Sequence, residues 1–510
     1  MDTLFYREYR HALFLFHICG DSGSIFHIFV VNFLYLAVKM QMQIQAPTPT
    51  EKNMNNNLVA RGLQKMQRFW QDRPRQLDAR ALQKVREQLQ ECARGTGGEV
   101  SARLRAGRLG ESYMRLDSAG KHAFLRLIAT EFGPDPARVA AAHARYQESL
   151  GSPAQWEAEA HLWSALRSPR ARILTQFAAL PKKGVRFLID LRVDLLHLLR
   201  EDPELTSLDR ELGYLLTSWF DVGFLELRRI TWHSSAALLE KLIQYEAVHT
   251  IHSWGDLKNR LDSDRRCYGF FHPRMPDEPL IFVEVALTDH LADNVQDLLD
   301  IDAPVFDTRS ADTAIFYSIS NTEEGLRGVS FGNFLLKRVI EDLQHDFPRL
   351  KRFSTLSPLP LLRRWTEKTP AVWQDVFLPG ELEKIGGYTK NPATAETAQA
   401  MLARADWQND ARLVRLMRAP LTRLAARYLL SAKAGEKTIY DPVGRFHLGN
   451  GARVERLNFP ADTTEKGLAQ SFGMMVNYLY PPDEIERNVE NLLREGKIAA
   501  SPTIRHAVLA

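Results

Sequence analysis

The sequence predicts an α+β protein, an all-helical N-terminal half followed by a mixed α/β half. Three observations predict it. From about residue 58 to 220, apolar residues recur with the period of an amphipathic helix. Beyond about residue 221, short runs rich in Val, Ile and Phe appear between helical stretches. Within that half a strand, a glycine-containing loop, a helix and a second strand follow one another, the order of a crossover connection onto a sheet.

Composition narrows the class. The chain has 510 residues, 45% hydrophobic and 25% charged, enough to bury a sizeable core without disulfides or metal. Lys and Arg outnumber Asp and Glu by 66 to 62, a net +4 that does not support charge-driven nucleic-acid binding. The three cysteines, Cys19, Cys92 and Cys267, are odd in number and far apart, which excludes a disulfide scaffold and a CxxC site. Their usage fits a reducing compartment, and a cytoplasmic protein is the expectation.

Residues 1–57 read as an extension and linker outside the fold. The apolar run Ile25–Val38 is broken by His27 and Asn32 and is shorter than the ~20 residues a bilayer span needs. Charges at Asp2, Arg7, Glu8 and Arg10 cancel, and no small-residue cleavage site follows, so signal-peptide architecture is missing. An apolar contact or weak membrane association remains an alternative, and stable membrane insertion is not expected. Gln41–Asn57 is polar and carries prolines, as linkers do.

Residues 58–220 are read as a helical interaction or oligomerisation domain, so a homo-oligomer is expected. In Ala81–Ala93, Leu82, Val85, Leu89 and Cys92 share one helical face. His122–Phe132 is a second helix, stopped by Gly133-Pro134, and Val185–Arg200 a third, stopped before Pro203. The arginines between Arg61 and Arg108 are interspersed with Glu and Asp and read as a solvated face.

Residues 221–500 form the mixed domain, and 501–510 a tail. Pro279–Leu287, Thr313–Ser320 and Arg352–Ser357 have the length and composition of strands. Between the last two, Phe331, Phe334, Leu335, Val339, Leu343 and Phe347 share the face of one helix. A helical stretch returns after Pro360 to about Ala434, followed by strand-like and loop segments around Phe446–Phe459.

The loop Asn321–Asn333 carries the chemistry-bearing signals. Gly325, Gly328 and Gly332 allow close backbone approach, and the helix behind them offers free N–H groups to an anion. A plain tight connection would use the same glycines. Gly328-Val-Ser330-Phe-Gly332 is a literal G-x-S-x-G, but ten residues separate Ser330 from the strand end, too many for a nucleophile elbow. No phosphate-loop lysine motif and no H-E-x-x-H occurs. His447 lies among three glycines in Gly444–Gly451 with no helical period, so it either faces a ligand or is a turn histidine bonded to backbone.

Taken jointly, ITWHSS, EAVHTI, RRCYGFFH, AIFYSIS, GLRGVSFGNFLLKRV, FSTLSPLP, FHLGNGARVERLN and GMMVNYLY, in this order, resemble malonyl-CoA decarboxylase. EFGPD, GVRFLIDLR and SWFDVGFL extend the resemblance over roughly residues 58–480. It implies a helical domain followed by a catalytic domain similar to the GNAT acyl-CoA fold. It implies malonyl-CoA as substrate and a CoA-binding loop at Arg327, Gly328, Val329, Ser330, Phe331, Gly332 and Asn333. It also implies a catalytic serine at Ser357, a catalytic histidine at His447, and further active-site positions at Ser318 and Tyr480. Ser330 stands where the wider GNAT loop has glycine. The Ser-Lys-Leu ending of animal members is missing and the sequence ends His-Ala-Val-Leu-Ala, in which it resembles the bacterial members.

Losing CO2 from malonyl-CoA leaves an electron pair that the thioester itself accepts as an enolate, so no cofactor is expected. The reaction then needs donors at the enolate oxygen and an acid for the carbanion. A histidine titrating near neutrality suits the second role, with Ser357 polarising the substrate or relaying the proton. An N-acyltransferase and a CoA-sensing scaffold without turnover are the competing readings. Because the polar stretch through Asn57 reads as a linker that transmits no packing, a chain beginning at Met54 is expected to fold and keep full activity, unless Ile25–Val38 docks on the helical domain. Its melting temperature should match the parent within about two degrees, since segments outside the core contribute little; a clear drop in a thermal-shift comparison would place the N-terminus in the fold.

Overall fold

The computed structural model describes residues 76–94, 99–180, 184–329, 334–404, 406–432 and 439–509. The Ile25–Val38 run and the linker lie outside them. Among the described residues, eight α-helices, Ala79–Arg94, Glu99–Met114, Ser118–Glu131, Pro136–Glu148, Gln155–Leu166, Pro169–Ala178, Gly184–Leu198 and Thr206–Trp219, precede the first strand. Ala79–Arg94 buries Val85, Leu89 and Cys92, the face its periodicity predicts. Ser118–Glu131 starts where the Asp117 carboxylate accepts the Gly120 N–H at 2.7 Å, and ends just before Gly133-Pro134. Gly184 opens its helix where a β-carbon would stand 2.5 Å from the Ala178 carbonyl oxygen, so only glycine lets the two backbones meet.

Among the described residues the sheet has eight strands: β1 Glu226–Ile230, β2 Arg265–His272, β3 Met275–Thr288, β4 Thr313–Asn321, β5 Arg352–Thr355, β6 Ser357–Pro358, β7 Arg453–Asn458 and β8 Met475–Leu479. Its order is β1-β2-β3-β4-β5-β8-β6, with β7 also on β8. The β4–β5 pair is parallel and the others antiparallel. Parallel neighbours need a crossover, and the helix Phe334–Asp346 supplies it, burying Leu335, Leu336, Val339, Ile340 and Leu343. The β4–β5 register runs only from Thr313↔Arg352 to Phe316↔Thr355. Beyond it β4 continues to Asn321, while the other chain bends at Leu356 into β6 and pairs with β8. The run expected as one strand, Arg352–Ser357, is therefore split, and Pro358, which has no N–H, closes it.

One hydrophobic core joins the two halves of the chain, running from Leu89, Phe124 and Leu188 through Val283 and Leu343 to Met417 and Ile504. The residues read as a tail form the helix Pro502–Leu509, packed on the helix Ala411–Ser431 and on β7. No helix among the described residues is long and apolar enough to cross a membrane. Ile504 is 2% exposed. Replacing it with Ala should cost about 2–4 kcal/mol of stability, typical of an emptied core site, measured by urea denaturation; a loss near zero would make the last helix an ornament on the surface.

Candidate active site

The bend after β5 sets the first catalytic candidate. Ser357 Oγ lies 2.8 Å from Thr355 Oγ1 and 3.2 Å from His447 Nε2. The other ring nitrogen of His447, Nδ1, is 2.7 Å from the Tyr480 hydroxyl. All three side chains are buried. Ser357, His447 and Tyr480, predicted from three distant segments, are thus one hydrogen-bonded chain. Thr355 was not among the predicted residues, although it stands two positions before Ser357, a spacing that places side chains on one side of an extended backbone.

His447 does not sit in a glycine turn, as its neighbourhood suggested, but in the helix Pro442–Gly449. The start signal is Asp441-Pro442. The Asp441 carboxylate accepts the Gly444 N–H at 2.7 Å and Pro442 occupies the first turn, where it forfeits no bond. Asp441 in turn accepts the Tyr428 hydroxyl at 2.6 Å, tying this helix to Ala411–Ser431. Gly444 leaves room for Tyr478, whose hydroxyl would be 3.0 Å from a β-carbon there. The Tyr478 ring stacks on the imidazole with centroids 4.7 Å apart and planes at 25°. The helix therefore presents its histidine edge-on to β6 and the end of β8.

Burial controls the electrostatics. It pushes the His447 imidazole down to about 3, away from the near-neutral titration expected of an acid. No charged partner offsets that cost, because serine and two tyrosines surround the ring. Burial likewise pushes the Tyr480 phenol well above its ordinary value. The substrate-free imidazole is neutral at pH 7. Thr355 Oγ1 accepts from the Tyr478 N–H at 3.2 Å and from Ser357. The hydrogen-bond pattern then assigns the single ring proton to Nε2, facing Ser357, with Nδ1 accepting from Tyr480.

A cavity of about 740 Å³ reaches the helix that carries His447 at Phe446 and Gly449, while Thr355, Ser357, His447 and Tyr480 are not among its lining residues. Arg327, Gly328 and Val329 line it, as do Arg445, Phe446 and Gly449 of the His447 helix and Asn450 just after it. Gly328 has φ +80°, a conformation that excludes most side chains. The rest of the expected loop, Ser330, Phe331, Gly332 and Asn333, lies outside the described residues. Ser318 lies in a different setting. Its hydroxyl donates to the Glu246 carboxylate at 2.8 Å, Ser320 donates to the same group at 3.1 Å, and no hydrogen bond joins Ser318 to the His447 chain among the described residues. Glu246 also accepts the Val248 and His249 N–H groups at 2.8 Å, so Ser318 anchors the segment after the helix Ala236–Tyr245.

Residues 132–220 match the family model described as malonyl-CoA decarboxylase N-terminal domain, and residues 223–510 match the C-terminal domain of the same family. The chain is 36% identical over 409 residues to "Malonyl-CoA decarboxylase, mitochondrial" of Anser anser anser, covering 77% of this chain and 81% of that protein. The Mus musculus protein of the same name is 37% identical, with 78% and 82% covered. The crystal structure of malonyl-CoA decarboxylase from Rhodopseudomonas palustris superposes with a TM-score of 0.75 at 39% identity, over 83% of this chain and 99% of that one. The structure from Cupriavidus metallidurans gives 0.65 at 42%, over 84% and 100%.

The depressed His447 pKa has a consequence for stability. An unfolded histidine titrates at about 6.5, whereas the folded ring resists protonation until about 3. Between these values the unfolded chain binds the extra proton, so stability present above pH 6.5 is lost as pH falls. At pH 5 this amounts to about 2 kcal/mol. In urea denaturation the parent should lose about that much more between pH 7 and pH 5 than His447→Asn does; equal losses would mean that the folded imidazole protonates normally.

Proposed function

The chain belongs to the malonyl-CoA decarboxylase family, and on that premise we propose that it converts malonyl-CoA to acetyl-CoA and CO2 without a cofactor, using Ser357 and His447 as a dyad. The enzyme is a carboxy-lyase. The observation that supports the dyad is the buried Ser357–His447–Tyr480 hydrogen-bond chain, whose histidine sits on the helix that, at Phe446 and Gly449, lines the cavity reaching Arg327 and Gly328.

In this reading the CoA phosphates lie on the Arg327–Asn333 loop and the acyl arm follows the cavity inward. A carboxylate entering a buried, uncharged site is poorly solvated, and losing it as CO2 relieves that cost. The malonyl carboxylate also acts on His447. A nearby negative charge favours the imidazolium, so the substrate raises the pKa that burial had lowered and draws a second proton onto the ring. Tyr480 then changes from donor to acceptor at Nδ1. When the C–C bond breaks, its electron pair passes into the thioester as an enolate, and CO2 leaves. The Nε2 proton closes the C–H bond, directly or through Ser357, and the ring returns to neutral. Each turnover takes one proton from solvent. Ser318 contributes by holding the Glu246 segment in this reading, and Tyr480 by orienting the imidazole.

Two further expectations remain part of the proposal. The helices Pro136–Glu148 and Gln155–Leu166 bury only Ala158 and Ala165, while Trp156 and Trp163 are 74% and 67% exposed. Such a face supports a homo-oligomer formed through the helical domain. Cytoplasmic residence draws support from the buried free thiols Cys92 and Cys267, which suit any reducing compartment.

The test is to incubate the purified chain with malonyl-CoA and follow acetyl-CoA and CO2. Ser357→Ala and His447→Asn should each lower kcat by a factor on the order of 10²–10⁴. The double variant should be little worse than either single one, because the two act as a unit. Losses that multiply would dissolve the dyad, and free CoA as a product would point to acyl transfer or hydrolysis.

A further inference from the structure

One arginine of the helical half holds the backbone of the loop that follows β4. Arg192, on the helix Gly184–Leu198, is almost fully buried. Its Nη1 donates to two carbonyl oxygens of the loop, Gly325 at 2.8 Å and Arg327 at 2.9 Å. Its Nε is held by Asp209 Oδ1 at 2.9 Å, from the helix Thr206–Trp219. The helix Gly184–Leu198 also closes on the loop at Gly325, where a β-carbon would stand 2.2 Å from the Ile189 carbonyl oxygen. The first part of the loop after β4, at Gly325 and Arg327, is therefore seated on the helical half, not only on the sheet.

The two carbonyls matter because of what lies behind them. In a trans peptide the N–H points opposite to the C=O. With the Arg327 carbonyl drawn toward Arg192, the Gly328 N–H is turned away from the helical half. Gly328, at φ +80°, lines the cavity. An N–H presented at a fixed angle binds an anion better than one that must first be oriented, since preorganisation removes an ordering cost.

We propose that Arg192 is a positioning residue for CoA binding: by fixing the Gly325 and Arg327 carbonyls, it aims the Gly328 N–H at a phosphate of CoA. This rests on the reading of the loop as the CoA site. Arg192 touches no substrate, and its effect is confined to the nucleotide end. It follows that substrates without the nucleotide are blind to it.

The experiment compares two substrates on the full chain, malonyl-CoA and the malonyl thioester of N-acetylcysteamine, with acetyl-CoA affinity measured by calorimetry. Arg192→Met should raise KM for malonyl-CoA and weaken acetyl-CoA binding on the order of tenfold, the usual scale for losing a charge-assisted hydrogen bond. It should leave kcat, and kcat/KM for the short thioester, within about twofold. Asp209→Asn keeps the shape of its site and should give a smaller change in the same direction, and it decides the matter if Arg192→Met does not fold. Equal losses on both substrates, or unchanged KM in the folded variants, would overturn the role of Arg192. Arg327→Ala separates the underlying reading: its side chain is 70% exposed, and unchanged acetyl-CoA affinity there would remove the CoA site from this loop altogether.

Discussion

The neutral burial of His447 is the constraint on which the site depends. An imidazole enclosed without a carboxylate partner pays for desolvation with its charge, and the surroundings are built to keep it hydrogen-bonded while neutral. Ser357 and Tyr480 satisfy the two ring nitrogens, Thr355 accepts the Ser357 hydroxyl, and Tyr478 covers one face of the ring. A carboxylate beside the ring would have fixed it as an imidazolium before any substrate arrived. Without one, the ring stays neutral in the free protein, which fits the proposed reaction, whose substrate would bring its own carboxylate.

Holding that ring in place takes elements from far along the chain. The helix bearing it begins at an Asp-Pro cap and is tethered by Tyr428, its far end packs beneath Ile485 at Gly451, and β8 brings Tyr478 and Tyr480 against it. Gly451, at φ +84°, has no space for a β-carbon, which would fall 2.5 Å from the Ile485 carbonyl oxygen. β8 in turn is anchored to β5 and β6, which supply Thr355 and Ser357. The split of the strand at Leu356 is thus more than an irregularity, because it moves Ser357 off the β4–β5 pair and toward the histidine.

The helical and mixed halves share one core and meet again at the loop after β4, where Arg192 and Arg186 make charged contacts. Arg186 donates to the Glu323 carboxylate at 2.7 Å, yet burial still pushes that group up to about 7, so the attraction does not fully offset desolvation. A second buried polar knot, Arg260 with Asp256 and Glu284, lies under β3 close to the Glu246–Ser318 contact. Burial holds Glu284 near 8 in spite of Arg260, and the knot fixes the helix Trp254–Arg260 on the sheet.

The order of helices and strands was legible because it rests on local periodicity: the face of Val85, Leu89 and Cys92, the β-rich runs at β3 and β4, and the amphipathic crossover helix all follow from spacing along the chain. The candidate dyad was legible only through the joint resemblance of many segments, since a lone Ser-Pro and a His among glycines carry little by themselves. The helix around His447 was missed because it spans only eight residues, two of them glycines, although Asp441-Pro442 announced its start. Three things were decided by tertiary structure alone. The pKa of His447 depends on what excludes water from it, and that is set by strands and helices some thirty to ninety residues away. The role of Ser318 depends on Glu246, which no pattern in the sequence pairs with it. The seating of the loop depends on Arg192, more than a hundred residues before it, one arginine among many until the two halves close around a common core.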